Sequence, residues 1–129
     1  MNKNFLILNA NYYKDISSGL LKSATNLLPK NLKVKIINVP GVFEIPVTIS
    51  KNIKKFDGFI ALGCVIKGQT PHFDFISQAT TNAIMQLSIN YKKPIGNGII
   101  TALNKDQAYN RSIKKGKEVA TAVFSVLSK

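Results

Sequence analysis

Four times in succession the chain alternates a short run of β-branched and other apolar residues with a longer stretch whose apolar positions recur at helical spacing. Short apolar runs suit strands buried on both faces, and spacings of three and four residues put apolar side chains on one face of a helix. Strands joined through helices imply right-handed crossovers, hence parallel strands with helices covering both faces of the sheet. The expected fold is therefore α/β, a three-layer α/β/α sandwich around a four-stranded parallel sheet. At 129 residues it fills one domain, residues 1–129, and no repeat, linker or low-complexity tract divides it.

Phe5 to Leu8 reads as the first strand, and the polar stretch Asn9 to Asp15 as its loop. Ser17 or Ser18 can cap a first helix through Leu20, Leu21, Ala24, Leu27 and Leu28, which Pro29 closes. Val34 to Val39 is a second strand that Pro40 and Gly41 break. Pro46 suits the first turn of the next helix, striped by Ile45, Ile49 and Ile53. Phe59 to Ile66 reads as the most buried strand, and a helical pattern at Phe75, Ala79, Ala83, Ile84 and Leu87 follows it. Ile95 to Thr101 is the fourth strand, where Gly96 and Gly98 permit close approach by a neighbour or ligand. Beyond Asn104 two helices are expected, a short one through Tyr109 and a longer one with an apolar face at Val119, Ala120, Val123, Phe124 and Leu127.

Composition narrows the function classes. Hydrophobic residues make up 45% and charged residues 19%, enough apolar surface for a packed core. Lys and Arg number 18 against 6 Asp and Glu, a formal charge of +12 that favours anionic partners in general. The lysines, however, are scattered in ones and twos from Lys3 to Lys129, without zinc-finger spacing or an aromatic-rich nucleic-acid motif. They read as solvated surface, and nucleic acid is not an expected partner. Cys64 is the only cysteine, which excludes an intrachain disulfide and points to a reducing, cytoplasmic setting. The apolar run near the N-terminus is too short for a signal peptide or a membrane span.

In open parallel sheets ligands bind beyond the carboxyl ends of the strands, so the loops after Leu8, Val39, Ile66 and Thr101 are the informative ones. They hold Asn11, Tyr12 and Tyr13; Gly41 to Glu44; Lys67 to Asp74; and the segment leading to Arg111. There is no glycine-rich dinucleotide fingerprint after the first strand, no P-loop and no receiver-type acidic cluster.

His72 is the only histidine, and proton transfer near neutral pH is the work an imidazole does best. By position alone it serves equally well as a helix-start residue without a role. Asp74 could orient that imidazole or simply favour the helix start. Glu44 could accept hydroxyl hydrogen bonds or face a helix dipole; Tyr12 could stack on a ligand or pack its loop. Cys64 lies in an apolar strand, where a thiol behaves as a small hydrophobe rather than a nucleophile.

Three segments lift these ambiguities. VPGVFEIP (Val39 to Pro46), ALGCVIKGQTPHFDF (Ala61 to Phe75) and PIGNGIIT (Pro94 to Thr101) resemble the signature segments of the lumazine synthase family, and the likeness runs nearly end to end. It implies a flavodoxin-like fold and a transferase of riboflavin biosynthesis. The implied reaction condenses 5-amino-6-(D-ribitylamino)uracil with 3,4-dihydroxy-2-butanone 4-phosphate to 6,7-dimethyl-8-ribityllumazine, releasing phosphate and water, without metal or organic cofactor. By the same resemblance His72 moves protons. Tyr12 stacks on the pyrimidine, Val42, Phe43 and Glu44 hold the ribityl chain, and Cys64, Val65 and Ile66 meet the pyrimidine edge, with Asn97 a further substrate contact. Gln69, Thr70 and Arg111 hold the phosphate, for which a planar guanidinium fork is well suited.

The resemblance also implies homo-oligomers built of pentamers, with active sites at subunit interfaces: Tyr12, Phe43, Glu44 and His72 on one side, Arg111 on a different subunit's side. Several positions depart from the family pattern. Asn11 and Lys67 stand where arginines are common, Asn97 where many members carry phenylalanine, and Asn110 where an acidic neighbour of Arg111 is frequent. The stretch from Arg111 to Lys115 and Gly116 is shortened, and only a few residues precede the first strand, where many members have a segment joining a neighbour's sheet. A non-catalytic flavin or lumazine binding protein of the same fold is the alternative these departures leave open.

Overall fold

The computed structural model describes residues 3–127 and 129. The outermost positions of the expected domain, 1, 2 and 128, lie outside the described residues. The element order is β1 (Asn4–Ala10), α1 (Lys14–Leu27), β2 (Lys33–Val39), a 3-10 turn (Val42–Glu44), α2 (Ile45–Asn52), β3 (Gly58–Ile66), α3 (His72–Tyr91), β4 (Ile95–Ala102) and α4 (Lys105–Leu127). The four strands form one parallel sheet in the order β2-β1-β3-β4, so β1 and β3 are central. All strands therefore begin at one end of the sheet and finish at the other, here called its amino and carboxyl ends.

Alternation along the central strands divides the core into two layers. Phe5, Ile7, Ile60 and Leu62 face α1 and α4, packing with Leu20, Ala24, Val119 and Val123. Leu6, Leu8, Phe59 and Ala61 face the other way, packing with Ile45, Ile49 and Ile84 of α2 and α3. Strands buried on both faces have no polar alternation, which is why their sequences read as continuous apolar runs. The asparagine that ends this run is partly accommodated: Asn9 is buried in β1, its Nδ2 donates to Asn38 Oδ1 at 3.0 Å on the paired strand, and its Oδ1 is buried without a partner among the described residues.

Three expectations about element boundaries are corrected. α1 begins at Lys14, before both candidate caps, and Tyr13 sits at its N-cap without a side-chain bond. Ser17 is instead buried inside the helix, its hydroxyl donating to Lys14 O at 3.1 Å. Asp15 favours the first turn, and Ile16 and Ser17 bury directly behind it, so helix formation starts one turn early. The first strand runs on to Ala10, which shortens the expected loop to Asn11–Tyr13.

The two helices expected after Asn104 are one, the 23-residue α4. Gly116, in its interior, is a packing residue: a Cβ there would come within 2.7 Å of Leu20 O and Ser23 Oγ on α1. The helical-propensity loss of a central glycine, about 1 kcal/mol, is offset by the close approach of the two helices. Gly96 and Gly98 play the part expected of them toward a neighbour, since a Cβ at either would strike Val119 on α4.

α3 buries only part of its apolar pattern. Ile84 is buried and Leu87 half-buried, but Phe75 and Ala79 are exposed. Among the described residues no helix is long and apolar enough to cross a membrane.

Candidate active site

Where β2 stops at Val39, Pro40 ends the strand and the chain folds into the 3-10 turn, closed by Glu44 N donating to Gly41 O at 3.2 Å. That turn lies against the carboxyl end of β3 because position 63 is glycine. A Cβ at Gly63 would sit 2.6 Å from Val42 Cγ1 and 3.0 Å from Ala10 Cβ. Val42 and Ile45 are anchored in the core, and the two residues between them point elsewhere: Phe43 is 62% exposed and Glu44 half-buried. Alternation of buried and exposed positions over one tight turn thus presents an aromatic ring and a carboxylate at the mouth of the sheet.

The end of β1 supplies a second wall. Asn11 N donates to Val39 O at 3.1 Å, continuing the β1–β2 pairing beyond the strand and setting the course of the two tyrosines. Their rings meet edge to face, 4.9 Å between centroids and 83° between planes, a favourable arrangement of ring quadrupoles. Tyr12 is 74% exposed, whereas Tyr13 packs against the α1–α4 core beside Cys64. Burial, with lesser contributions from Cys64 and Tyr12, raises the Tyr13 phenol above its ordinary value. Burial alone pushes the Cys64 thiol up to about 11, so at neutral pH it keeps its proton and is no nucleophile.

The third wall is the end of β3 and the start of α3. Lys67 N donates to Ala102 O at 2.9 Å, holding β3 to β4 as the chain leaves the sheet. The loop Gly68–Pro71 then delivers His72 as the first residue of α3, its backbone N–H donating to Thr70 Oγ1 at 3.4 Å. The imidazole is exposed, and Ile76 lies one turn along the same face. Asp74 occupies the first turn of α3, and among the described residues no hydrogen bond joins its carboxylate to His72.

These walls enclose a cavity of about 390 Å³. Tyr12, Val42, Phe43, Glu44, Cys64, Val65, Ile66 and His72, all picked out in the sequence, line it together. An aromatic face, a carboxylate and an imidazole around an apolar floor can hold a flat heterocycle with a polyhydroxyl tail and move protons on it.

Four predicted residues lie outside that lining. Gln69 and Thr70 are exposed in the loop just ahead of His72. Asn97 is exposed on the edge strand β4, its Oδ1 accepting from Ile99 N at 3.0 Å. Arg111 is on α4, in the layer behind the sheet, where its Nη1 donates to Thr101 O at 3.1 Å. Within the chain, therefore, guanidinium and imidazole are carried by opposite layers.

The sequence model of the 6,7-dimethyl-8-ribityllumazine synthase family matches residues 2–129. The chain belongs to that family. Among its relatives, the 6,7-dimethyl-8-ribityllumazine synthase of Bartonella tribocorum is 40% identical over 116 residues, covering 87% of this chain and 77% of the relative. That of Rhodopseudomonas palustris strain BisA53 is 37% identical over 134 aligned positions, covering 95% and 82%. That of Beijerinckia indica is 35% identical and covers 98% and 74%.

For this lumazine synthase family chain, the cavity is also lined by Tyr13 and Gly41, which the sequence placed in the informative loops without a role, and by Ile76, which it passed over. Ile76 could have been found from helix periodicity, since it follows His72 by four residues and shares its face. Tyr13 could not, because neighbouring aromatics in a loop give no sign of which ring turns inward.

Proposed function

We propose that this chain condenses 5-amino-6-(D-ribitylamino)uracil with 3,4-dihydroxy-2-butanone 4-phosphate to 6,7-dimethyl-8-ribityllumazine, with residues 1–129 as one cytoplasmic catalytic domain. The observation that carries the reading is the convergence of Phe43, Glu44, Tyr12 and His72 on one cavity in a chain of this family. Tyr12 and the apolar floor hold the pyrimidine, Glu44 accepts hydrogen bonds from ribityl hydroxyls, and Phe43 closes over the chain. The chemistry is addition of an amine to a ketone, loss of water to an imine, elimination of phosphate, ring closure and a second loss of water. Each step moves a proton, and His72, exposed at the cavity wall, shuttles it.

The phosphate binds at the loop holding Gln69 and Thr70, near the start of α3 where anions are favoured, and Arg111 reaches it from a neighbouring subunit. The placement of Arg111 on the opposite layer from His72 supports a site completed between subunits. So does an apolar groove of about 440 Å³ lined by Phe43, Pro46, Val47, Ala79, Thr80 and Ala83. Val47 is 59% exposed there and the buried Thr80 hydroxyl has no hydrogen-bond partner. Pentamers are the assembly proposed.

The test is direct. Purified protein given both substrates should form the fluorescent lumazine, and its mass in solution should be a multiple of five chains. Absence of product across neutral pH and a range of substrate concentrations would overturn the catalytic reading; tight lumazine binding without turnover would then favour the binding-protein alternative.

A further inference from the structure

The lysines scattered along the sequence are not scattered in space. Lys3 and Lys33 stand at the starts of β1 and β2, with Lys30 in the loop between α1 and β2. Lys51, Lys54 and Lys55 close α2 and lead into β3, Lys92 and Lys93 join α3 to β4, and Lys129 follows α4. All of these lie at the amino end of the sheet, where among the described residues Asp57 is the one acidic side chain. At the carboxyl end Lys14, Lys67, Lys105 and Arg111 are balanced by Asp15, Glu44, Asp74 and Asp106. Most of the +12 formal charge therefore belongs to the pole opposite the cavity.

That separation decides what the charge can do. β3 has nine residues, so the two ends are roughly 30 Å apart at about 3.3 Å per residue. Screening at physiological salt acts over about 8 Å, so lysines at the far pole cannot steer a phosphate substrate into the cavity. Nor are they consumed internally. Among the described residues the one ion pair is Lys114–Glu118 on α4, and at the amino end Asp57 Oδ2 accepts from Asn4 N at 2.9 Å. Lys93 Nζ is engaged, donating to Ile53 O at 2.6 Å, and thereby ties the end of α3 to that of α2. Unpaired like charges repel and cost stability unless a polyanion or its counterions compensate them.

We propose that the amino end of the sheet is a docking face for the phosphate backbone of nucleic acid, held by ammonium groups without reading bases. The cations are lysines, compact point charges on flexible stems that suit phosphate oxygens, and phosphate contacts carry no sequence information. Four of them, Lys3, Lys92, Lys93 and Lys129, line a hollow of about 540 Å³ whose remaining wall includes Asp57, Val126 and Leu127. A flexible polyanion can follow the contour of a concave, lysine-bearing surface, which a flat lipid surface bridges. This inference does not depend on the proposed reaction, because its readout is binding.

The experiment measures fluorescence anisotropy of a labelled 20-nucleotide single-stranded RNA with the assembled protein between 50 and 200 mM salt. Micromolar binding is expected, with affinity falling steeply as salt rises and polyphosphate displacing the RNA, as counterion release requires. Replacing Lys54, Lys55, Lys92 and Lys129 together by glutamine should weaken binding at least about tenfold and flatten the salt dependence. The equally charged control, with Lys22, Lys35, Lys114 and Lys117 replaced by glutamine, should change it less than about threefold. Thermal melting and particle mass verify that both variants fold and assemble. Equal weakening by the two variants, failure of polyphosphate to compete, or binding to anionic phospholipid vesicles in place of RNA would each overturn the proposal.

Discussion

The two ends of the sheet differ in both shape and charge. The carboxyl end is charge-balanced and built from tight turns that aim single side chains into a cavity. The amino end carries lysines on its αβ connections and has, among the described residues, one acidic side chain, Asp57, to answer them. One sheet can present such different faces because parallel strands put every βα loop at one end and every αβ loop at the other. Chemistry needs positioned groups of opposite character, and it has them at the carboxyl end, where tight turns aim them into one cavity. The other end is free to accumulate charge, since nothing there must hold a substrate in register.

Substitutions at the two ends should therefore separate cleanly. His72→Ala should lower kcat for lumazine formation by about a hundredfold or more while leaving particle mass unchanged, as loss of a general acid–base group does. A wild-type rate in this variant would remove the imidazole from the mechanism. Arg111→Ala should raise KM for the phosphate substrate roughly tenfold to a hundredfold, the loss of charge-assisted hydrogen bonds worth about 1.5–3 kcal/mol. If kcat fell instead with KM unchanged, the guanidinium would be acting on the transition state rather than on phosphate binding.

Gly63→Ala probes how the carboxyl end is built. The new methyl meets Val42 and Ala10, so urea denaturation should show a loss of about 1–3 kcal/mol. KM for the ribityl substrate should rise with it, because the turn carrying Phe43 and Glu44 is displaced. An unchanged urea midpoint would mean that the turn is not held by this contact. At the other pole, the glutamine variant of Lys54, Lys55, Lys92 and Lys129 should keep the wild-type rate and melt a few degrees higher at low salt, a gain that 1 M salt abolishes.

The smallest effect concerns Cys64. Its thiol is held up to about 11 by burial, so alkylation by iodoacetamide should stay slow at pH 8 and accelerate toward pH 11. The linked stability has a definite sign. The folded state keeps the proton where the unfolded chain has already lost it, so stability falls as pH rises from about 9 to about 11. Cys64→Ala should lack that component of the fall, as read from denaturation midpoints at several pH values.

Much of the carboxyl end was legible in the sequence. Pro40 and Gly41 marked the turn, Pro46 the helix behind it, and the residues picked from those loops share a cavity. Tyr13 received no role and Ile76 escaped because lining a cavity depends on the direction of a side chain, and that direction is set by the whole packing around it. The start of α1 and the continuity of α4 escaped for a related reason. Serines near a helix start look like caps, and the polar stretch between Tyr109 and Val119 hides the continuity of α4, until burial against a neighbouring helix assigns Ser17 and Gly116 to helix interiors.

The order of apolar runs and helical stripes was enough to determine a parallel α/β/α fold, since periodicity is local and each element carries its own. Distribution of charge is not local. Lys30, Lys54, Lys92 and Lys129 are far apart along the chain, and only the common direction of the strands brings the junctions that bear them to one pole.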